Sequence, residues 1–358
     1  TLIPKANLSY ILGNPPFIGA NNMNAHQRAS ISLLFGGAAG SGNLDYVSGW
    51  YLKSAQFIQG TSIKVGFVST NSIVQGEQTG VLWSRMLDRY KVSINFAHRT
   101  FRWSNEAKGK AAVFCVIIGF ANFEAPQKWL FDYEDIKGDA HRKEAKNINP
   151  YLVDAANVLI ESRSNPICNV PKMTKGSSPT DGGHLLLSPE EKEALIQSNP
   201  KAVGFLRRYV GSEEYINDKE RWCLWLKAAS PTELKEIPAI LARLKQVAEF
   251  RLKSTKVATR KWADFPSLFI EERQPNSEYI IVPRTSSENR KYIPIGYLSP
   301  DVIVSDGAIA LPNATLFHFG VLTSQMHMAW VKYTCGRLKS DYRYSNTIVY
   351  NNFPWPSN

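Results

Sequence analysis

Four consecutive residues near the start of the chain, Asn14-Pro15-Pro16-Phe17, have the groups needed to hold an aromatic amine. The amino group of a nucleobase is a poor nucleophile because its lone pair is delocalised into the ring. The Asn14 side-chain oxygen and the Pro15 carbonyl can each accept one amino hydrogen, which helps to localise that lone pair on nitrogen. The two prolines fix their φ angles and lack backbone donors, so the loop is stiff and its carbonyls stay available. Phe17 offers an apolar face on which an extruded base can stack.

The position of this loop distinguishes a binding loop from an ordinary turn. A turn followed by a core aromatic residue would have the same four letters. Residues 10–12 read as a short apolar strand that ends abruptly at Gly13. Sheets of α/β proteins bind their ligands in loops at strand ends. The position therefore favours a functional loop.

The first 150 residues alternate between strand and helix patterns. Short apolar runs predict strands at 63–68, 93–96 and 111–120, and helical spacing predicts helices at 46–58 and 76–90. Such alternation favours an α/β fold with a covered, largely parallel sheet.

The pattern changes after residue 150. Residues 151–180 carry several prolines among Ser, Asn and Lys, which predicts a linker or an extended crossing segment. Residues 181–358 mix both kinds of element and predict an α+β domain. The expected elements are a helix that starts at Ser188, long helices at 231–254 and 316–333, and short strands across 279–309.

The composition favours a partner that carries negative charge. The chain has 358 residues, a net charge of +11 and 44% hydrophobic residues. Lys and Arg gain affinity for nucleic acid by releasing the counterions on phosphates, although a basic solvated surface is the simpler explanation. The four cysteines are far apart and the histidines show no ligand spacing, so no metal site is predicted. Because no apolar run approaches the roughly 20 residues that span a membrane and no signal peptide is recognisable, we expect a cytoplasmic protein.

Longer motifs indicate a family. Asn14-Pro15-Pro16-Phe17 resembles motif IV of the amino-methyltransferases that modify N6 of adenine in DNA. Nearly the whole chain is similar to the bacterial type IIL restriction–modification enzymes, the MmeI-like group. The phrases that carry this similarity are VSTNSI at 68–73, QGEQ at 75–78, AHRTFRWS at 97–104 and YNNFPWP at 350–356.

The resemblance implies an activity and an architecture. The activity is methylation of adenine N6 in double-stranded DNA, with S-adenosylmethionine as donor and base flipping of the target. Residues 1–150 would form the C-terminal half of a Rossmann-like class I methyltransferase sheet, 151–180 a linker, and 181–358 a mixed α+β target-recognition domain. In that group a nuclease and the glycine-rich turn that grips S-adenosylmethionine precede motif IV, and a helical segment follows the recognition domain. The residues that bind the donor are therefore expected mostly outside this chain.

A second aromatic residue is implied opposite the flipped base, from the region called motif VIII. Phe101 and Trp103 are the candidates, and strand alternation puts both on one face. One of them could instead belong to the core, and we expect Phe101 to be the stacking residue.

Charged residues near the C-terminus could read the DNA sequence. An extended chain places Lys339, Asp341 and Arg343 on one face. Guanine offers acceptors to a lysine and cytosine offers an amino donor to an aspartate. Lys339 and Asp341 are therefore expected to read one G·C pair beside the target adenine. The alternative is an exposed strand with an ion pair between these two residues.

A basic, hydroxyl-rich loop could hold the DNA backbone. Arg284, Ser286, Ser287 and Arg290 lie between apolar segments. Such residues commonly contact phosphates and fix the register of a protein on DNA, although an ordinary solvated loop has the same composition.

Three functions remain open from the sequence. The first is a site-specific adenine methyltransferase of a restriction–modification system. The second is a DNA-recognition fragment that cannot methylate, because its donor site is incomplete. The third is methylation of a glutamine amide in a protein, which also uses an Asn-Pro-Pro loop, but the positive charge and the large C-terminal region argue against it.

Overall fold

The computed structural model of the chain describes residues 3–103, 113–136, 138–338 and 340–356. It contains two compact units. The first is formed by Thr1–Ser164 together with Trp330–Asn352, and the second by Asn165–Ala329 together with Phe353–Asn358. The boundary after Ser164 falls within the predicted linker, 151–180. The predicted recognition region, 181–358, is divided between the units because residues 330–352 pack in the first.

A six-stranded sheet with the order β1-β2-β4-β3-β5-β6 is the framework of the first unit. Its strands are β1 (Tyr10–Gly13), β2 (Lys64–Thr70), β3 (Ser93–Trp103), β4 (Val113–Ala121), β5 (Lys128–Asp132) and β6 (His141–Ala145). β1 and β2 are parallel, as are β3 and β5, whereas β4 is antiparallel to both β2 and β3. β1, β2, β3 and β5 therefore point the same way, and their C-terminal ends lie at one edge of the sheet, which we call the carboxyl edge.

The structure extends one predicted strand. The expected strand at 93–96 continues to Trp103 as β3, with register irregularities between Ile94 and Phe96 and between His98 and Phe101. Polar residues interrupt the apolar pattern after Phe96, so the sequence showed only the first part of the strand. The continuation carries Phe101 and Trp103 to the carboxyl edge.

The helices of the first unit cover the sheet. They are α1 (Ala25–Leu34), α2 (Ser48–Phe57) and α3 (Gly76–Ser84), and a π-helical turn (Arg85–Arg89) extends α3. Asn24 caps α1 through a capping box with Gln27, which satisfies two otherwise unpaired backbone donors. Tyr51 of α2 is fully buried and stacks on Phe120 of β4, with ring centroids 5.6 Å apart. The apolar face of α2 is therefore fixed against the sheet.

The C-terminal segment of the first unit carries a short antiparallel hairpin, β16 (Gly336–Leu338) and β17 (Asp341–Arg343), followed by a π-helical turn (Asn346–Tyr350). Asn352 fastens this segment to the end of the N-terminal part. Its amide donates to the Glu161 carbonyl at 3.0 Å, and the Arg163 Nε donates to its side-chain oxygen at 2.9 Å. These contacts hold distant parts of the sequence in one unit.

The second unit is a mixed α+β structure with two four-stranded sheets, whose orders are β14-β9-β10-β8 and β13-β11-β15-β7. Its strands are β7 (Thr174–Lys175), β8 (Leu186–Leu187), β9 (Leu206–Val210), β10 (Trp222–Leu224), β11 (Tyr279–Pro283), β12 (Thr285–Ser286), β13 (Gly296–Leu298), β14 (Ile303–Val304) and β15 (Ala308–Pro312). The remaining helices are α4 (Pro189–Ser198), α5 (Ser212–Asn217), α6 (Pro231–Lys235), α7 (Pro238–Leu252), α8 (Val257–Arg260), α9 (Leu316–Leu322) and α10 (Gln325–Thr334).

Two predicted long helices are interrupted. The helix expected at 231–254 is divided into α6 and α7, because Pro238 lacks the backbone donor that would continue a helix and instead starts a new one. The helix expected at 316–333 is divided into α9 and α10. The start at Ser188 is as predicted, with a capping box to Glu191.

One buried cation joins several loops of the second unit. The Arg251 side chain, on α7, is inaccessible to solvent. Its guanidinium donates to five backbone carbonyl oxygens, those of Pro179, Thr180, Trp262, Phe265 and Leu268, at 2.8 to 3.1 Å. Burial of a charge is tolerated when such hydrogen bonds satisfy it.

No helix within the described ranges is both long enough and apolar enough to pass through a membrane.

Candidate active site

The Asn14–Phe17 loop leaves β1 at the carboxyl edge, immediately after Gly13, whose partner in β2 is Phe67. Asn14 and Pro16 are exposed, whereas Pro15 is buried. The first three residues of the loop line a cavity of about 810 Å³. The Asn14 amide is therefore accessible from a hollow of the size that binds small molecules.

The walls of this cavity are mainly apolar. Leu12 and Phe67 belong to the sheet, and Trp50 and Phe57 belong to α2. β1 forms an edge of the sheet in the described part of the chain, and its residue Leu12 is 74% exposed. Large apolar side chains thus surround the polar loop.

Phe17 does not take the position predicted for it, in which an extruded base would stack on its ring. It is half-buried and packs against the core of the first unit. It is not among the residues that line the cavity. In this conformation its ring anchors the end of the loop.

Phe101 and Trp103 reach the carboxyl edge. In the sheet register Phe101 lies opposite Cys115, and Cys115 lies opposite Thr70, the last residue of β2. The Phe101 ring stacks on Tyr133 with a centroid distance of 5.4 Å, so one of its faces is already covered. Trp103 is 40% exposed, with its ring 6.1 Å from that of Phe101. Of the two rings, the more accessible one is therefore Trp103.

His98 extends this aromatic group. Its ring stacks on Phe131 at 4.1 Å, and its Nδ1 lies 2.8 Å from the Tyr133 hydroxyl. Burial lowers the pKa of His98 below its usual value, which favours the neutral imidazole. The cluster therefore contributes no fixed positive charge through His98 at neutral pH.

Asp45 contacts Ile18, the residue directly after the loop, and the sequence analysis did not single it out. The residue is 4% exposed. Oδ1 accepts hydrogen bonds from the backbone N–H groups of Ile18 and Val47, each at 3.1 Å, and Oδ2 accepts one from the Thr70 hydroxyl at 3.2 Å. Burial raises the pKa of Asp45, and these hydrogen bonds partly oppose the increase. A lone carboxylate in an apolar stretch, after Leu44, is the signal that could have revealed it.

Asp341 and Arg343, which were predicted to contact DNA, lie on β17 of the first unit. Asp341 is half-buried and Arg343 is exposed, and neither side chain has a hydrogen-bond or ion-pair partner among the described residues. The Arg337 guanidinium lies over the buried Tyr342 ring, 3.9 Å from its centroid, which stiffens the hairpin. Lys339 lies outside the described residues.

The four residues of the predicted phosphate-binding loop differ in their exposure to solvent. Arg290 is exposed and Ser287 is half-buried. Ser286 is only 3% exposed, and the Arg284 guanidinium donates to the Asp306 carbonyl at 3.1 Å. In this conformation Arg290 is the most accessible of the four predicted residues. Within the described ranges, no group of three or more His, Cys, Asp and Glu side chains could hold a metal ion.

Comparisons with known proteins cover nearly the whole chain. Residues 2–132 match the family described as "MmeI, DNA-methyltransferase domain", and residues 154–357 match "MmeI, target recognition domain". The chain is 40% identical over 348 residues to DNA methyltransferase A of Bacillus subtilis (strain 168), an alignment that covers 97% of this chain and 39% of that protein.

A solved structure gives the same result. The type IIL restriction–modification enzyme MmeI in complex with DNA superposes with a TM-score of 0.92 at 46% identity, over 98% of this chain and 47% of that one. The match confirms the predicted fold class, an α/β methyltransferase part followed by a recognition part. The chain spans less than half the length of each of these two relatives.

Proposed function

Because the chain belongs to the MmeI family of DNA methyltransferases with a target recognition domain, we propose that it methylates N6 of adenine in a specific DNA sequence, as part of a restriction–modification system in the bacterial cytoplasm. The observation that carries this proposal is the placement of Asn14, Pro15 and Pro16. They line a cavity at the carboxyl edge, where the chain can present two acceptors to an amino group.

The loop suits an amine that keeps both hydrogens until it attacks. The Asn14 side-chain oxygen and the Pro15 carbonyl accept one hydrogen each from the extruded adenine. Asn14 is neutral, so the amine need not lose a proton before attack. The buried Pro15 ring fixes the backbone and therefore the direction of its carbonyl. We assign the stacking contact to the Phe101–Trp103 region, with Trp103 as the more accessible ring.

The residues present fit a methyl donor beside the loop. Trp50, Phe57 and Phe67 give the cavity an aromatic wall, and its volume of about 810 Å³ lies in the range of small-molecule sites. S-adenosylmethionine supplies the electrophilic methyl group when it is bound. We expect most residues that grip it to lie outside this chain, on strands that pair with the open edge of β1.

Sequence reading is assigned to the hairpin of the first unit. The Asp341 carboxylate can accept from cytosine N4, and Lys339 can donate to guanine in the same base pair. Arg343, Ser287 and Arg290 are assigned to the DNA backbone and neighbouring base edges, with Arg284 and Ser286 supporting their loop. Asp341→Ala should relax the choice of base at one position only. A uniform loss of affinity for all sequences would reject the assignment of Asp341.

The experiment that tests the activity is a map of methylated adenines. The encoded protein, that is, the product of the complete gene, is expressed in a bacterial host without adenine methylation. The host DNA is then sequenced with detection of N6-methyladenine. We expect methylation within one short asymmetric sequence. Unmethylated DNA together with a methylated glutamine in a host protein would favour the alternative substrate.

A DNA-recognition module is the second function to be considered. It is favoured by the match of residues 154–357 to a target recognition domain. Calorimetry of the protein expressed from its complete gene with S-adenosylmethionine separates the two functions, because a pure recognition module would release no heat of binding. In both cases the affinity for DNA should fall steeply as salt increases, and a flat dependence would argue against DNA as the partner.

A further inference from the structure

We propose that Asp45 is a positioning residue that holds the adenine-binding loop in its working conformation. This inference rests on the proposed function and assigns a new residue to it. Ile18 directly follows Phe17 in the chain, and both of its backbone polar groups are bound. Its N–H donates to Asp45 Oδ1 at 3.1 Å, and its carbonyl accepts from the Tyr46 N–H at 2.9 Å. The end of the loop is therefore clamped by the segment that carries Asp45.

The second carboxylate oxygen connects the loop to the neighbouring strand. Asp45 Oδ2 accepts from the Thr70 hydroxyl, which also lies 2.6 Å from the Ser72 hydroxyl. Thr70 is the last residue of β2 and shares its sheet row with Phe101, through Cys115. One carboxylate thus bridges the loop after β1 and the end of β2. β4 lies between β2 and β3, the strand that carries the predicted stacking residues, and pairs with both.

The energetic cost of this arrangement indicates a role beyond folding. The three groups that donate to the Asp45 carboxylate, two backbone N–H groups and a hydroxyl, are neutral, and no Lys or Arg among the described residues pairs with it. Burial of a carboxylate without a cation is unfavourable, and a neutral acceptor could satisfy the same donors. Hydrogen bonds to an ionised acceptor are roughly twice as strong as neutral ones. A carboxylate therefore holds the Ile18 N–H more firmly than an amide would.

Asp45 acts through the loop because it does not line the cavity. It is therefore not expected to contact a bound base directly. Its effect should therefore appear in the rate of methyl transfer and in base extrusion, while affinity for the DNA duplex stays nearly constant. Replacement of a residue that served folding alone would change stability, but it would not lower the methyl-transfer rate selectively while DNA affinity stayed constant.

The test compares three variants of the encoded protein on a duplex with its mapped site. Asp45→Ala removes every acceptor, whereas Asp45→Asn keeps one oxygen for Ile18. Asp154→Ala is the matched control, because Asp154 also accepts two backbone N–H groups, from Lys146 and Asn147, in a loop of the first unit that contributes nothing to the cavity. The readouts are kcat, KM for DNA, unfolding temperature and the fluorescence of 2-aminopurine at the target position.

Asp45→Ala should lower kcat about 10- to 100-fold, because loop displacements near 1 Å have effects of that size. Its KM for DNA should change less than about twofold, and the 2-aminopurine signal should fall. Asp45→Asn should recover part of the rate, because its oxygen still accepts from Ile18 but more weakly, and Asp154→Ala should match the unsubstituted protein. Unchanged kcat and fluorescence in Asp45→Ala would overturn the inference, as would equal losses in both alanine variants. If the unsubstituted protein methylated no adenine, the proposed function would fail, and this inference with it.

Discussion

Asp45 and Arg251 are buried charged side chains of different units, and the partners of the two charges differ. Asp45, in the first unit, accepts from a hydroxyl and from two backbone N–H groups, one of which directly follows the Asn14–Phe17 loop. Arg251, in the second unit, donates to five carbonyls that belong to loops around α7. Burial alone therefore does not mark a functional charge. The elements that the charge holds together show whether it supports a site or a fold.

Replacement of the buried cation should have the largest effect on stability. Arg251→Met leaves five carbonyls without their donor and should lower the free energy of unfolding by about 3–5 kcal/mol. Lys245→Met, at an exposed position of the same helix, is the control and should change it by less than about 0.5 kcal/mol. Denaturant titration measures both variants. A loss below about 1 kcal/mol for Arg251→Met would remove the contrast between the two buried charges.

The pH dependence of stability should differ between the two units. Burial lowers the pKa of His327, in the second unit, from 6.5 to about 3. The unfolded chain then binds the proton more tightly, so stability is lost as pH falls below 6.5, by about 2 kcal/mol at pH 5. Asp45 acts in the opposite direction. Its raised folded pKa disfavours the charged form, so its contribution is lost as pH rises through that pKa.

His327→Phe should remove the acidic loss, and Asp45→Asn should flatten the change above pH 3.8. The free energy of unfolding, measured from pH 4 to pH 8 for both variants and the unsubstituted protein, checks these signs. Parallel curves for all three proteins would contradict them.

Helix caps should have equal, smaller effects in both units. Asn24 caps α1 in the first unit and Ser188 caps α4 in the second, each through a capping box. Asn24→Ala and Ser188→Ala should each lower the free energy of unfolding by about 1 kcal/mol. Chemical denaturation of the two variants gives the comparison. A much larger loss for either cap would show that stability is distributed unequally between the units.

The local geometry of the candidate site could be predicted in part from the sequence because it depends on neighbouring residues. The prolines of Asn14-Pro15-Pro16-Phe17 fix a strand-end loop wherever they occur, and the structure places that loop at a cavity. Pro238 is a local signal for a helix start, but the sequence analysis predicted one continuous helix because the amphipathic pattern continues on both sides of it. These features need only a few neighbouring residues.

Other features depend on contacts between distant residues. The packing of Trp330–Asn352 in the first unit rests on pairs such as Arg163 with Asn352, which no periodicity reveals. The same is true of Asp45, whose burial follows from the fold around it. The half-buried position of Phe17 also depends on packing, because an aromatic residue after two prolines can face a cavity or the core.

The most direct test of the account is methyl transfer by Asn14→Ala in the encoded protein, on a duplex that carries the mapped sequence. Asn22→Ala, at an exposed position outside the cavity, is the control. The account predicts that loss of the Asn14 acceptor lowers kcat about 100- to 1000-fold, while DNA affinity and unfolding temperature stay the same. A rate for Asn14→Ala equal to that of Asn22→Ala would contradict the assignment of this loop to the target adenine.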